Sequence, residues 1–187
     1  MMQEQNNNKF SVRTIVFIGM LSALVYAATL LRVPFLGSKV HFANAICLLA
    51  GMLLGPVPGG LAAGIGSALY DTFTGYDIFG ILITFVSKFA MAWVCGMLMR
   101  IPLGEAGKKT APLRTLLAAV AGALTYVFLY MLKTFIYQRF VYGFPLDATM
   151  VTVWSKFVPS IINAAAAVIV APILFHAINP ALKRMES

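Results

Sequence analysis

Apolar residues in this chain run in long blocks, and short stretches rich in charge, proline or glycine separate them. The first block, Val12 to Leu31, stops at Arg32-Val33-Pro34, because proline cannot donate a backbone hydrogen bond and disfavours helix at the residue before it. A loop is expected from Arg32 to about His41. The second block, Phe42 to Leu54, meets Gly55-Pro56-Val57-Pro58-Gly59-Gly60, which reads as a turn, and the third runs from Leu61 to Thr74. Further blocks cover Ile78 to Met99, Leu116 to Tyr137 and Val151 to Ile178, with polar connections over Arg100 to Arg114 and Gln138 to Thr149. A spanning helix takes roughly 20 residues. The pattern therefore predicts an all-α, integral membrane bundle of six transmembrane helices in a single domain covering residues 1–187. The second and third segments are short for a bilayer and need tilt, local thinning or shelter by their neighbours.

Composition agrees. Hydrophobic residues make up 60% of the 187 positions and charged residues 11%, against about 25% charged in soluble domains, and mean hydropathy is +0.87. Six spans leave no room for a water-soluble ATPase domain, so any energy from ATP has to come from another subunit. The net charge of +8 does not point to nucleic acid, because the basic residues lie at block ends and form no contiguous patch. Their distribution sets orientation. Lys9, Arg13, Arg100, Lys108, Lys109, Arg114, Lys183 and Arg184 fall on one side, and Arg32, Lys39 and Arg139 on the other with Asp71, Asp77 and Asp147. Both termini are expected in the cytoplasm, in a multi-pass membrane protein. The polar segment MMQEQNNNKF precedes an apolar run too long for a signal-peptide core, so the first helix is expected to be retained. No internal repeat stands out.

Three lysines lie within predicted spans: Lys88, Lys133 and Lys156. Charge inside a membrane is costly, so each has to face protein, water or a ligand, or to reach the interface. Lys88 lies about ten residues into its span, roughly 15 Å at 1.5 Å per residue. Lys133 and Lys156 lie about two turns from the outer surface. Tyr126, Tyr130, Lys133 and Tyr137 recur at spacings of four, three and four and share one helix face. Lys156, Ser160 and Asn163 form a similar stripe with Trp154 and Pro159 nearby, and Thr84 lies one turn before Lys88. Together these residues predict a polar, aromatic-lined pocket opening outward, with Lys88, Tyr126, Tyr130, Lys133, Trp154, Lys156 and Asn163 as ligand contacts. For Lys88 a structural partnership with Asp71 or a helix-end carbonyl stands equally open.

Gly19, Ala23 and Ala27 form a ridge of small residues on the first span, and Gly60, Gly64 and Ala68 another on the third, each suited to close helix packing. Gly64-Ile-Gly-Ser-Ala-Leu69 lacks the third glycine and the preceding strand of a dinucleotide fingerprint. Cys47 and Cys95 have no metal-spaced partners, and His41 and His176 fall near opposite membrane faces. No catalytic motif, metal site or cofactor is expected, and the chain is not expected to be an enzyme. A stand-alone secondary transporter would want a protonatable group in the core, for which Asp71 is the one candidate.

The stretches Ala23-Leu-Val-Tyr-Ala27, Asn44-Ala-Ile-Cys-Leu-Leu-Ala-Gly-Met-Leu-Leu-Gly-Pro-Val-Pro-Gly-Gly60 and Gly64-Ile-Gly-Ser-Ala-Leu-Tyr-Asp71, with Lys88 and Gly96, follow one another in a characteristic order. In them the chain resembles a substrate-binding S component of the energy-coupling factor (ECF) transporters over nearly its whole length. The resemblance implies a ligand site near the outer surface, closed by the loop after the first span. It implies a vitamin-like ligand, and partnership with a transmembrane scaffold subunit and two cytoplasmic ATPases. Ala23 and Ala27 match that family's AxxxA docking motif, and delivery by toppling within the membrane lipid is implied with it. The lysines and aromatic residues add the expectation of a polar or anionic ligand with a flat part; riboflavin, pantothenate, pyridoxine-type compounds, folates and queuine precursors all fit.

Overall fold

The computed structural model describes residues 11–35, 38–101 and 111–184. Lys9, Glu105, Lys108 and Lys109 lie outside the described residues. The order of elements is α1 (Val12–Leu30), β1 (Arg32–Phe35), β2 (Ser38–His41), α2 (Ala43–Leu54), α3 (Pro56–Phe73), α4 (Ile78–Arg100), α5 (Ala111–Ile136), a π-helical turn (Tyr137–Val141) and α6 (Leu146–Arg184). Each apolar block is thus a helix. By length and composition α1, α4, α5 with its following turn, and α6 are apolar enough to cross a membrane.

Helix starts follow local chemistry. Ser11 caps α1 by accepting from the Thr14 N–H at 3.2 Å, and Asp77 caps α4 through the Gly80 N–H at 2.9 Å. The expected turn over residues 55–60 contracts to Gly55 alone, which takes φ +83°, and α3 begins at once with Pro56. Pro56 and Pro58 fit because N–H groups in the first turn of a helix need no intrahelical acceptor. The expected loop at 32–41 is instead an antiparallel hairpin pairing Arg32 with His41, Val33 with Val40, Pro34 with Lys39 and Phe35 with Ser38. Pairing satisfies backbone groups beside a membrane, and proline is tolerated in so short an edge strand. Most of the expected polar segment 138–149 is helical too, because the π-helical turn extends α5 and α6 begins at Leu146.

Consecutive helices alternate in direction, so the ends of α1, α3 and α5 meet the starts of α4 and α6 beside the hairpin. The central element is α2, with nine of its twelve residues buried. At the end remote from the hairpin, small residues bring backbones together. A Cβ on Gly51 of α2 would strike the Ala92 carbonyl of α4, and one on Gly96 of α4 would strike the backbone of Gly55 and Pro56. The ridge on α3 packs within the bundle, with Gly60 under Phe89 and Gly64 under Phe85, while Gly66 abuts the Ser22 carbonyl of α1. The core is completed by Leu48, Leu49, Met91, Cys95 and the alanines of α5 and α6. Arg100 donates to the Leu54 carbonyl at 3.1 Å and Arg114 to the Leu98 carbonyl at 3.1 Å, so basic side chains close helix ends at this remote end.

Candidate ligand-binding site

A cavity of about 350 Å³ opens at the hairpin end, a size suited to a small organic molecule. Its depth follows the burial of its lining. Lys88, Ser67 and Asp71 are buried and form the floor, Lys133 and Lys156 are half-buried on the walls, and Tyr76, Asp77 and Tyr142 are exposed at the rim. The lining includes four cations, Arg32, Lys88, Lys133 and Lys156, and two carboxylates, Asp71 and Asp77.

Helical periodicity builds the walls. Tyr126, Tyr130, Lys133 and Tyr137 all face the cavity from α5, and the Tyr126 and Tyr130 rings lie nearly parallel, 16° apart in plane with centroids at 5.8 Å. Lys156, Ser160 and Asn163 face it from α6, and Thr84 and Lys88 from α4. Six of the seven expected contacts are thereby brought together. Trp154 is the correction: it is 61% exposed, packs edge-on against Phe157 and does not line the cavity. Two residues along a helix is about 200° around it, so a residue beside Lys156 in sequence points away from it in space.

The lysines are held in different ways. The Lys88 Nζ donates to Asn44 Oδ1 on α2 and stands 3.8 Å from the Tyr126 ring centroid, an attractive position for an ammonium over a π face. The acceptor for Lys88 is thus the side chain of Asn44, with Asp71, one of its two expected partners, lining the same floor. Lys133 reaches the Gly80 carbonyl at 3.5 Å and lies 5.7 Å from the Tyr137 ring, near the start of α4. Tyr137 donates to the Asp77 carboxylate at 3.2 Å. The capping Gly80 N–H chiefly, with Tyr137 and Lys133, holds the Asp77 carboxyl below its ordinary range. Asn163 Oδ1 accepts from the His41 N–H at 2.9 Å and so ties α6 to the hairpin, whose Arg32 and His41 line the cavity.

The sequence pattern left out the α3 wall. Ser67, Tyr70 and Asp71 face the cavity at a spacing of three and one, and Arg32 lies 5.3 Å over the Tyr70 ring. Periodicity could have found that face, had the glycines of α3 not drawn attention to packing alone. Ala23 and Ala27 do not line the cavity and are exposed on α1 with Gly19. Among the described residues no three His, Cys, Asp or Glu side chains gather as a metal site.

A family model described as ECF-type riboflavin transporter, S component, matches residues 9–180. No curated protein matches the sequence significantly. Among solved structures, one described as the S component of a bacterial ECF transporter superposes with a TM-score of 0.70 at 18% identity, covering 91% of this chain and 98% of that one. At that identity the likeness is one of fold, and it extends over the whole bundle.

Proposed function

The chain belongs to the family of ECF-type riboflavin transporter S components, the substrate-binding membrane subunits of these importers, and we propose that its ligand is riboflavin or a close flavin relative, bound in the cavity under the hairpin. The observation that carries this is the cavity's mixed chemistry. A flavin joins a flat, largely apolar ring system edged with carbonyl oxygens to a chain of hydroxyls. The paired tyrosine rings of α5 offer an aromatic wall, while Lys88, Lys133, Lys156 and Arg32 offer donors for oxygens, and Asp71 and the serine and threonine hydroxyls offer acceptors. Lys88, Tyr126, Tyr130, Lys133, Lys156 and Asn163 are the proposed contacts on α4 to α6.

In this reading all six helices lie across the cell membrane with both termini in the cytoplasm, and the hairpin end faces outward. The basic remote end and the cations at the block ends support that orientation. Ala23 and Ala27, exposed beside Gly19, would let a scaffold subunit's helix approach the α1 backbone closely, with two ATPase subunits driving delivery. Proteoliposomes test the division of labour. Chain alone should bind riboflavin without accumulating it, and scaffold and ATPase subunits with ATP should restore uptake; accumulation by the chain alone would instead mark a self-sufficient carrier.

A further inference from the structure

We propose that Asn44 is a positioning residue for the ligand, acting through Lys88; this deepens the flavin reading of the cavity and rests on it. Asn44 is fully buried in the first turn of α2 and does not itself line the cavity. It stands behind Lys88, which does. Its Oδ1 accepts from the Lys88 Nζ, and its Nδ2 makes no hydrogen bond among the described residues. The amide orientation is thereby fixed, since turning it over would set an NH₂ group against an ammonium.

The ammonium carries three donors. The amide oxygen takes one direction, the Tyr126 ring face another at 3.8 Å, and the third is left for the cavity that Lys88 lines. An amide also differs from a carboxylate in what it leaves behind. It orients the ammonium without itself neutralising it, so the positive charge is shared between Asp71, which lines the same floor, and the electron-rich edge of a ligand. Packing alone would not call for such a pair, because two apolar side chains of similar volume fill a buried site without the cost of desolvating a charge. A polar pair at this depth, between a central helix and a cavity floor, marks function.

The test is a cycle of Asn44→Ala and Asn44→Asp, each with Lys88 and with Lys88→Met, read by riboflavin fluorescence quenching and by the melting temperature of unliganded protein in detergent. Asn44→Ala should weaken riboflavin binding about tenfold or more where Lys88 is present, and by less than about twofold beside Lys88→Met. Asn44→Asp should weaken binding as well, while the melting temperature holds or rises, since a carboxylate pairs with the ammonium and takes its charge. That split is one a merely structural residue would not give. Affinities within about twofold of wild type for both variants, or equal losses in both backgrounds, would overturn the proposal. Should Lys88→Met bind too weakly to titrate, the split between affinity and melting temperature in Asn44→Asp decides; should Asn44→Ala not fold, Asn44→Ser is read in its place. Failure of wild type to bind riboflavin would overturn the ligand reading alone. The Asn44–Lys88 coupling would then be judged by the melting temperatures, where additive effects of Asn44→Ala and Lys88→Met would overturn it and non-additive effects would support it.

Discussion

The two ends of this bundle are built from the same helices and opposite side chains. At the end remote from the hairpin, Gly51, Gly59 and Gly96 bring α2, α3 and α4 into backbone contact, and alanines of α5 and α6 fill the rest. At the hairpin end α3, α4, α5 and α6 carry Tyr, Lys, Asp, Ser and Thr at their inward positions, and a cavity of about 350 Å³ remains between them. Helix separation is set by the side chains at the contact. Small residues at one end thus hold the frame, and large polar ones at the other keep a space that the frame cannot close. The difference separates stability from binding along the length of single helices.

The largest effect is expected where the closed end is forced apart. Gly51→Val places a branched side chain against the Ala92 carbonyl, and overpacking of this kind costs roughly 1–3 kcal/mol or more. A melting curve in detergent should show a drop of several degrees or loss of folded protein, with ligand binding lost only along with the fold. Lys133→Ala and Lys156→Ala should do the reverse: the melting temperature stays close to wild type, and riboflavin affinity falls about tenfold for each, roughly 1.4 kcal/mol. Trp154→Ala is the matched control, since it removes a larger side chain that faces away from the cavity, and its affinity should stay within about twofold of wild type. Equal losses for all three would mean that the α6 face has been assigned wrongly.

The smallest effect concerns the rim. The Asp77 carboxyl is held low by the Gly80 N–H, Tyr137 and Lys133, so its contribution to stability is fully present above the ordinary carboxylate range and is lost as pH falls through the depressed value. Melting temperature of the wild type should therefore decline slightly on acidification below about pH 4, and Asp77→Asn, which keeps the cap but not the charge, should lack that decline. An identical acid response in the two proteins would remove Asp77 from the rim network.

Much of the frame was legible because apolar blocks and helices coincide in a membrane, where backbone groups must bond internally. What misled was punctuation. Five Pro and Gly residues among the six at 55–60 look like a long turn, yet prolines at the start of α3 serve the helix and Gly55 alone does the turning. The hairpin was hidden because four-residue strands are too short for alternation to stand out. Within the site, the α5 and α6 stripes were readable from spacing. Trp154 was included by nearness in sequence where periodicity excludes it. Asn44 could not be seen as a partner of Lys88, because the contact joins residues 44 apart and nothing in either segment names the other.

The binding claim itself comes down to one titration. Purified chain in detergent, stripped of co-purifying small molecules and titrated with riboflavin, should quench flavin fluorescence to saturation at one flavin per chain, with folded Lys88→Met giving a weaker curve. Absence of saturable quenching by folded wild-type protein, or a curve that Lys88→Met leaves unchanged, would contradict the assignment of this cavity as the flavin site.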